Sequence, residues 1–349
     1  MFATSVASLA LTASLLTLPV SPTPAVGADA PPIPDITADQ WIVYDADAEV
    51  VLASWNANDH APMASVTKVM TAIVTVENAD LSEMVTVPRT ATSARGSTAG
   101  LIAGEQWTVG DLLIAMMVRS GNDAAIALAH HVGGESVSKF VSMMNAKAAQ
   151  FGMSSTSFAN PNGLDHEEHY STATDLLTLI IESQNYPDVQ RVGRIKRVSM
   201  PADPNGKSRT FNNTNKLLGA YPGVVGLKTG DTPWADKVLL GVTEQAGRTI
   251  YSVVMHSDDH FSDTREIVDW AYGTFTLKDR WMRPFFSEQG GGATVGAPED
   301  LSASHERRLR AMLSLDDGRW STSSLLDLPK AESIGRWIRE AIPSILGDG

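Results

Sequence analysis

Three short strings of this sequence combine residue types that could carry out acyl transfer. A serine hydroxyl is a weak nucleophile and needs a neighbouring base, and a lysine can be that base if its pKa is lowered. The first string therefore predicts Ser65 as nucleophile and Lys68 as its base. In chain order, the strings are Ser65-Val66-Thr67-Lys68, Ser120-Gly121-Asn122 and Lys228-Thr229-Gly230.

Helical context separates the first string from a second Ser-x-x-Lys at Ser136-Val137-Ser138-Lys139. Ser65 precedes apolar residues at helical spacing, so we expect it in the first turn of a largely buried helix, with Lys68 on the same face. The N–H groups at a helix N-terminus favour negative charge developing there. Ser136 follows Gly133-Gly134-Glu135, which is typical of a helix start, and we interpret it as an N-cap.

A second lysine would lower the pKa of Lys68 if both amines shared one cleft. Lys228, in the third string, is the candidate, because repulsion between like charges and burial both favour loss of one proton.

The elements that must position these strings are strands at both ends of the region and helices in its middle. Strand patterns at the start predict an antiparallel hairpin, and further strands follow the helical middle. This order predicts an α/β (α+β) fold, in which one antiparallel sheet flanked by helices carries an inserted helical subdomain. The strand patterns cover Gln40–Asp45, Val50–Trp55, Val224–Thr229, Val238–Thr243 and Thr249–Met255.

Helices are predicted where apolar periodicity follows a capping residue. One, over Thr108–Val118, runs into Ser120, and a second, over Leu176–Glu182, is opened by a capping box at Thr172–Asp175. A third is predicted over Asp263–Phe275.

The composition limits the classes of protein to which this chain can belong. The chain has 349 residues, enough for one large or two moderate domains, and no cysteine, which excludes a disulfide framework and a lipid-attachment cysteine. Its net charge of −13 argues against nucleic acid as a partner, because phosphate binding requires clustered lysine and arginine.

The first 30 residues predict a signal peptide and export to an extracytoplasmic space. An apolar run over Val6–Val20 is followed by a proline-rich break and then by small residues, with cleavage expected after Ala28 or Ala30. No lysine or arginine precedes the run, so either the segment is atypical or the given start lies inside the true signal.

Residues 286–349 predict a linker and a helical tail of unassigned role. An apolar stripe near Ala331–Leu346 suggests either a helix packed on its own domain or a helix in contact with a membrane surface. Pro343 and the mixed flanking charge favour the first interpretation.

Together the strings resemble the D-alanyl-D-alanine carboxypeptidase family, serine peptidases of the penicillin-binding protein and β-lactamase-like superfamily. The resemblance covers roughly residues 36–278 and implies a catalytic domain over residues 31–285, with helices on both faces of a sheet and a cleft beside it. Further segments of the sequence also resemble the family, at Leu112–Asp123, Asn162-Gly163-Leu164-Asp165, His169-Tyr170-Ser171 and Val225-Gly226-Leu227.

The resemblance also implies an activity: removal of the terminal D-alanine from peptidoglycan stem peptides ending in D-Ala-D-Ala, without a cofactor. It implies that Ser65 forms an acyl-enzyme, that Lys68 takes its proton and that Ser120 relays it to the leaving nitrogen. Asn122 would bond both substrate and Lys68. β-Lactam antibiotics would acylate the same serine as covalent inhibitors.

The resemblance assigns substrate binding to the third string. Lys228 and Thr229 would bind the terminal carboxylate, and Gly230 would let the substrate lie against the strand as an added edge. The backbone N–H groups of Ser65 and Asp231 would hold the tetrahedral oxyanion.

Three departures from the family pattern keep other functions open. Asp231 places an acid beside the carboxylate-binding strand, Trp234–Lys237 replaces a small glycine-bearing stretch, and Arg119 stands where proline is common. The alternatives are a D,D-endopeptidase or a β-lactamase on the same fold, or a non-catalytic cell-wall binding protein. A deacylating Glu-x-x-x-Asn element of the kind one β-lactamase class uses is not evident after Ser120.

Competing motifs are weak, and the sequence predicts no metal site. His166-Glu167-Glu168-His169 is one residue short of a His-Glu-x-x-His zinc helix, and His256-Ser257-Asp258-Asp259-His260 has the pattern of a loop between a strand and a helix. The sequence contains neither a Gly-x-Ser-x-Gly string nor a glycine-rich phosphate loop.

Overall fold

The computed structural model describes residues 32–200, 202 and 206–274. The predicted signal peptide at residues 1–30 and the predicted linker and tail at residues 286–349 lie outside these ranges, so they stay predictions, as do the domain boundaries. Within the described ranges, no helix is both long enough and apolar enough to cross a bilayer.

Nine strands are present in the described ranges, five of them in one antiparallel sheet with the order β2-β1-β9-β8-β7. The sheet therefore joins strands from both ends of the described chain, as predicted, and it leaves β7 at an edge. The strands are β1 Gln40–Asp45, β2 Val50–Trp55, β3 Met84–Thr86, β4 Gln106–Thr108, β5 Arg197–Met200, β6 Arg209–Asn212, β7 Val224–Thr232, β8 Asp236–Gln245 and β9 Arg248–Ser257.

Eight helices are present in the described ranges, and seven of them lie between β2 and β7 as the predicted insertion. A 3-10 turn, Ala64–Thr67, precedes the first. The helices are α1 Lys68–Asn78, α2 Arg89–Thr92, α3 Val109–Val118, α4 Asn122–Val132, α5 Val137–Phe151, α6 Ala173–Ser183, α7 Pro187–Gly193 and α8 His260–Thr274.

Both faces of the sheet are covered by helices, which confirms the predicted fold class. On β1, Trp41 and Val43 join a buried cluster with Ile267 and Ala271 of α8. Alternate residues of a strand point to opposite faces, so Ile42 faces away from this cluster. It is buried too, and α6 contacts β1, β8 and β9. Burial on both faces explains why these strands are apolar over most of their length.

Side-chain caps account for two of the predicted helix starts. The hydroxyls of Thr108 and Thr172 accept hydrogen bonds from the backbone N–H groups of Asp111 and Asp175, at the starts of α3 and α6. The carboxylate of Asp175 instead accepts from the Ser155 N–H and the Thr156 hydroxyl, so it ties a neighbouring loop to α6.

The predicted start of the last helix at Asp263 is wrong, because α8 begins at His260. The carboxylate of Asp259 accepts hydrogen bonds from the N–H groups of Phe261 and Ser262 and so opens the helix. Asp263 accepts instead from Thr37 and Ser257. The predicted end at Phe275 lies outside the described residues.

A buried ion pair joins β1 and β9, which are the first and last strands along the chain and neighbours in the sheet. The Arg248 Nε atom on β9 donates to the Asp45 carboxylate on β1 at 2.7 Å, and each side chain is 7% exposed. The second oxygen of Asp45 accepts from the backbone N–H groups of Asp47 and Ala48, which closes the β1–β2 hairpin. Asp45 therefore stabilises both the β1–β2 hairpin and the pairing of β1 with β9.

We expect Arg248→Met to lower the free energy of unfolding by about 3–5 kcal/mol, because it leaves the Asp45 carboxylate buried without a cation. Urea denaturation followed by circular dichroism measures this loss. The matched control is Arg191→Met, which breaks an ion pair with Asp188 whose side chains are 56% and 45% exposed. It should cost at most about 1 kcal/mol. Equal losses in the two variants would show that burial does not increase the contribution of the Asp45–Arg248 pair to the free energy of unfolding.

Candidate active site

The 3-10 turn Ala64–Thr67 carries Ser65 directly into α1. The serine was predicted in the first turn of a buried helix, and it lies in the turn immediately before that helix. Lys68 is the first residue of α1, and its Nζ atom donates to the Ser65 Oγ atom at 2.7 Å. The Ser-x-x-Lys spacing thus brings the predicted nucleophile and base into direct contact.

Lys68 is fully buried and has three hydrogen-bond acceptors. Besides Ser65, they are the side-chain oxygen of Asn122 at 2.7 Å and the backbone carbonyl of Asn162 at 2.5 Å. Burial lowers the pKa of Lys68 well below its usual value, and the positive charge of Lys228 lowers it further, against an opposing effect of Asp123. The site therefore favours a neutral amine, whose two hydrogens bond Asn122 and Asn162 while its lone pair faces the Ser65 hydroxyl, as a general base requires.

The carbonyl of Asn162 is a functional contact that the sequence reasoning missed. It belongs to a tight loop in which the Asn160 side-chain oxygen accepts from the backbone N–H groups of Asn162, Gly163 and Leu164. Gly163 has a φ of +83°, and a Cβ atom there would lie 2.0 Å from the carbonyl oxygen of Ala64. The string Asn160-Pro161-Asn162-Gly163 is a turn signature that could have flagged this loop.

Ser120 and Asn122 lie where α3 passes into α4, as the pattern at Thr108–Val118 predicts. Ser120 is buried with a φ of +61°, in the left-handed region that a serine rarely occupies. Its Oγ atom accepts from the Nζ atom of Lys228 at 3.1 Å. The Asn122 side-chain nitrogen donates to the Arg95 carbonyl at 2.6 Å, which orients its oxygen toward Lys68.

The third string lies on β7, the edge strand beside the Ser65 turn. Lys228 is 1% exposed, and burial lowers its pKa to about 7. The Thr229 hydroxyl donates to the Thr214 hydroxyl at 2.6 Å, a partner that the sequence reasoning also missed. The Lys228 amine and the Thr229 hydroxyl thus lie side by side on the edge strand of the sheet.

Gly230 packs directly against the nucleophile turn. A Cβ atom at this position would lie 2.7 Å from the Ala64 Cβ atom and 3.0 Å from the backbone nitrogen of Ser65. Contacts this short are not tolerated, so the glycine is needed for β7 to approach Ser65. The sequence pattern predicts a role for Gly230 toward substrate only, and the structure adds this steric one.

Asp231, the first departure, has an exposed side chain and lies opposite Lys237 in the β7–β8 register. Trp234, in the turn between these strands, is 50% exposed, and its backbone N–H donates to the Asp165 carboxylate at 3.3 Å. These residues shape the rim of the cleft and leave the buried amines untouched.

The competing motifs have other structural roles. Ser136 is the N-cap of α5, because its hydroxyl accepts from the Lys139 N–H at 3.2 Å, so the interpretation of this second Ser-x-x-Lys is confirmed. His169 is buried against Thr67, whereas His166 is exposed. In the described ranges, no three histidine or acidic side chains are grouped so that they could hold a metal ion.

Comparison with known proteins assigns this arrangement to a family. The family model described as D-alanyl-D-alanine carboxypeptidase, peptidase family S11, matches residues 26–259. D-alanyl-D-alanine carboxypeptidase DacB2 of Mycobacterium tuberculosis is 34% identical over 249 residues, which cover 69% of this chain and 84% of the relative. The D-alanyl-D-alanine endopeptidase of Pseudomonas aeruginosa is 31% identical, covering 76% of this chain and 87% of that protein.

A solved structure agrees with the sequence comparison. The crystal structure of a D-alanyl-D-alanine carboxypeptidase from Mycobacterium tuberculosis H37Rv is similar with a TM-score of 0.67 and 33% identity, over 72% of this chain and 96% of that one. The chain spans 64% and 63% of the length of two longer carboxypeptidase relatives, from Bacillus subtilis and Escherichia coli. This chain belongs to the D-alanyl-D-alanine carboxypeptidase family of serine peptidases.

Proposed function

We propose that this protein is a serine-type D-Ala-D-Ala carboxypeptidase that removes the terminal D-alanine of peptidoglycan stem peptides in an extracytoplasmic space. The observation that carries the proposal is the contact of the Ser65 hydroxyl with the buried amine of Lys68 at 2.7 Å. Neutral Lys68 accepts the proton of Ser65 as the oxygen attacks the peptide carbonyl between the two D-alanines. The product of this step is an acyl-enzyme on Ser65, which water then hydrolyses.

The position of Ser120 supports a role in proton transfer to the leaving group. Its hydroxyl contacts Lys228, and the leaving D-alanine nitrogen needs a proton when the carbon–nitrogen bond breaks. In the proposed mechanism, Ser120 passes the proton from Lys68 to that nitrogen, and Asn122 holds the amine of Lys68 in place.

The free edge of β7 supports the proposed mode of substrate binding. An extended peptide can pair with an exposed strand, with its terminal carboxylate at Lys228 and Thr229. The tetrahedral oxyanion would lie between the backbone N–H groups of Ser65 and Asp231. The close approach of Gly230 to the Ser65 turn holds these two donors near each other.

A labelling experiment tests the proposal. Purified protein is incubated with a fluorescent penicillin and, separately, with a peptide ending in D-Ala-D-Ala, and covalent label and released D-alanine are measured. We expect stable label on Ser65 and D-alanine release. Ser65→Ala should lose both, with a fall in release rate of at least about a thousandfold.

Ser136→Ala is the matched control, since it removes the serine of the other Ser-x-x-Lys string. It should keep both activities and lose only about 1 kcal/mol of stability with its N-cap. Rapid turnover of penicillin would support a β-lactamase instead. Wild-type protein with neither label nor release would support a cell-wall binding protein.

The pKa of Lys228 predicts how activity depends on pH. Lys228 binds a carboxylate only when protonated, and its pKa is about 7 in the free protein, so kcat/KM should fall as pH rises through about 7. Toward acid pH, activity should fall as Lys68 gains a proton. Because arginine stays protonated, Lys228→Arg should lack the alkaline fall, whatever its overall rate. The same fall in both proteins would contradict this role for Lys228.

A basic groove favours D,D-endopeptidase action as a second activity. The groove has a volume of about 770 Å³. Its lining includes three cations, Lys196, Arg197 and Lys216, and no acidic residue. Among the described residues, none of the three forms an ion pair. The groove includes residues on both sides of Thr214, which contacts Thr229.

The position and charge of the groove suit a large leaving group. A single alanine is far smaller than this space, whereas the second peptide of a cross-link is long and carries carboxylates. The bond cleaved and the chemistry at Ser65 would be unchanged.

Charge reversal in the groove separates the two activities. In the double variant Lys196→Glu/Lys216→Glu, cleavage of a cross-linked peptide dimer should fall about tenfold, while D-alanine release from a single pentapeptide stays within about twofold. Chromatography of the products measures both. Lys139→Glu, on an exposed lysine of α5, is the control and should change neither. Equal effects on dimer and pentapeptide would remove the endopeptidase proposal.

A further inference from the structure

His169 lies beneath the nucleophile turn, and each of its ring nitrogens has one partner. The side chain is 2% exposed, and its ring packs edge-on against Phe158 with centroids 5.9 Å apart. The Nε2 atom is 2.7 Å from the Thr67 hydroxyl, and the Nδ1 atom is 3.0 Å from the backbone nitrogen of Ala159. The mechanism above uses neither His169 nor Thr67.

The partners determine where the ring hydrogen lies. The backbone N–H of Ala159 can only donate, so Nδ1 is an acceptor without a hydrogen. The Thr67 hydroxyl donates its hydrogen to the Ala64 carbonyl at 2.7 Å. The Nε2 atom must therefore carry the hydrogen and donate it to Thr67. Burial, with the charges of His166 and Lys68, lowers the pKa of His169 to about 4, which agrees with a neutral ring.

This chain of hydrogen bonds ends on the peptide group that joins Ala64 to Ser65. A peptide group is planar, so the carbonyl of Ala64 and the N–H of Ser65 point in fixed, opposite directions. Holding the carbonyl therefore aims the N–H. Ala64 also has a φ of +49°, a left-handed conformation that alanine rarely adopts, so the plane needs support from its surroundings.

We propose that His169 is a positioning residue for the oxyanion site: acting through Thr67, it fixes the peptide plane whose N–H belongs to Ser65. The inference rests on the proposed function, in which that N–H stabilises the tetrahedral oxyanion. It predicts that the relay affects the rate of acylation and not the affinity for substrate, because the oxyanion develops only in the transition state.

Two pairs of variants test the relay with a labelled penicillin. His169→Phe keeps the ring bulk but neither hydrogen bond, whereas His169→Gln keeps one donor and one acceptor and cannot be protonated. Thr67→Val removes the hydroxyl and Thr67→Ser keeps it. The concentration dependence of labelling separates the acylation rate constant from the dissociation constant, and thermal unfolding checks each fold.

We expect His169→Phe and Thr67→Val to slow acylation about tenfold to a hundredfold, with dissociation constants within about twofold of wild type. His169→Gln and Thr67→Ser should retain most of the rate. The double variant His169→Phe/Thr67→Val should be no slower than the slower single variant, because both substitutions break one relay. His131→Phe is the control on a histidine that pairs with Glu83 at the surface, and it should acylate at the wild-type rate.

Other outcomes would overturn the inference. Folded His169→Phe that acylates at the wild-type rate would do so, as would losses that multiply in the double variant. If His169→Phe does not fold, the Thr67 pair alone decides, since Val must be slow and Ser fast. Failure of the proposed function looks different, because the wild-type protein itself would then show no label on Ser65.

Discussion

The burial of two lysine amines in one cleft is the constraint on which the rest of the site depends. Lys68 and Lys228 are 0% and 1% exposed, and a buried amine is costly unless its hydrogens have acceptors. Lys68 finds them on the 3-10 turn, on α4 and on the Asn162 loop, while Lys228 bonds Ser120. The helical insertion must therefore close on the sheet edge before either amine is satisfied. The same closure lowers both pKa values, so packing itself favours a neutral amine at Lys68.

A steric constraint acts at the peptide between Ala64 and Ser65. Neither Gly163 nor Gly230 could carry a side chain without meeting this peptide. Thr67 holds its carbonyl from within the turn. Ser65 is thus placed by backbone contacts from a loop and from β7, which explains how Ala64 before it can be held in a strained conformation.

The buried residues of the cleft are held by hydrogen bonds, and the residues at its rim are exposed. Hydrogen bonds join Lys68 to Ser65 and Asn122, and Lys228 to Ser120, whereas Asp231 and Trp234 lie at the rim and contribute exposed side chains. The basic groove beside Thr214 is another exposed feature, on the side of the cleft that we assign to the leaving group. In the proposed function, changes at these positions would alter what the cleft can accept without disturbing the buried amines.

The sequence by itself determined the serine, its lysine, the order of the three strings and the sheet built from both ends of the chain, because these follow from residue type and short-range periodicity. Two short hairpins, β3–β4 and β5–β6, were missed, since strands of three or four residues give little periodicity. Only the tertiary structure identified the Asn162 carbonyl, Thr214 and the relay through His169. A backbone carbonyl is present in every residue, and a histidine in a zinc-like string looks the same whether it binds metal or supports a turn. Which of these groups matters is decided by contacts between residues far apart in the chain.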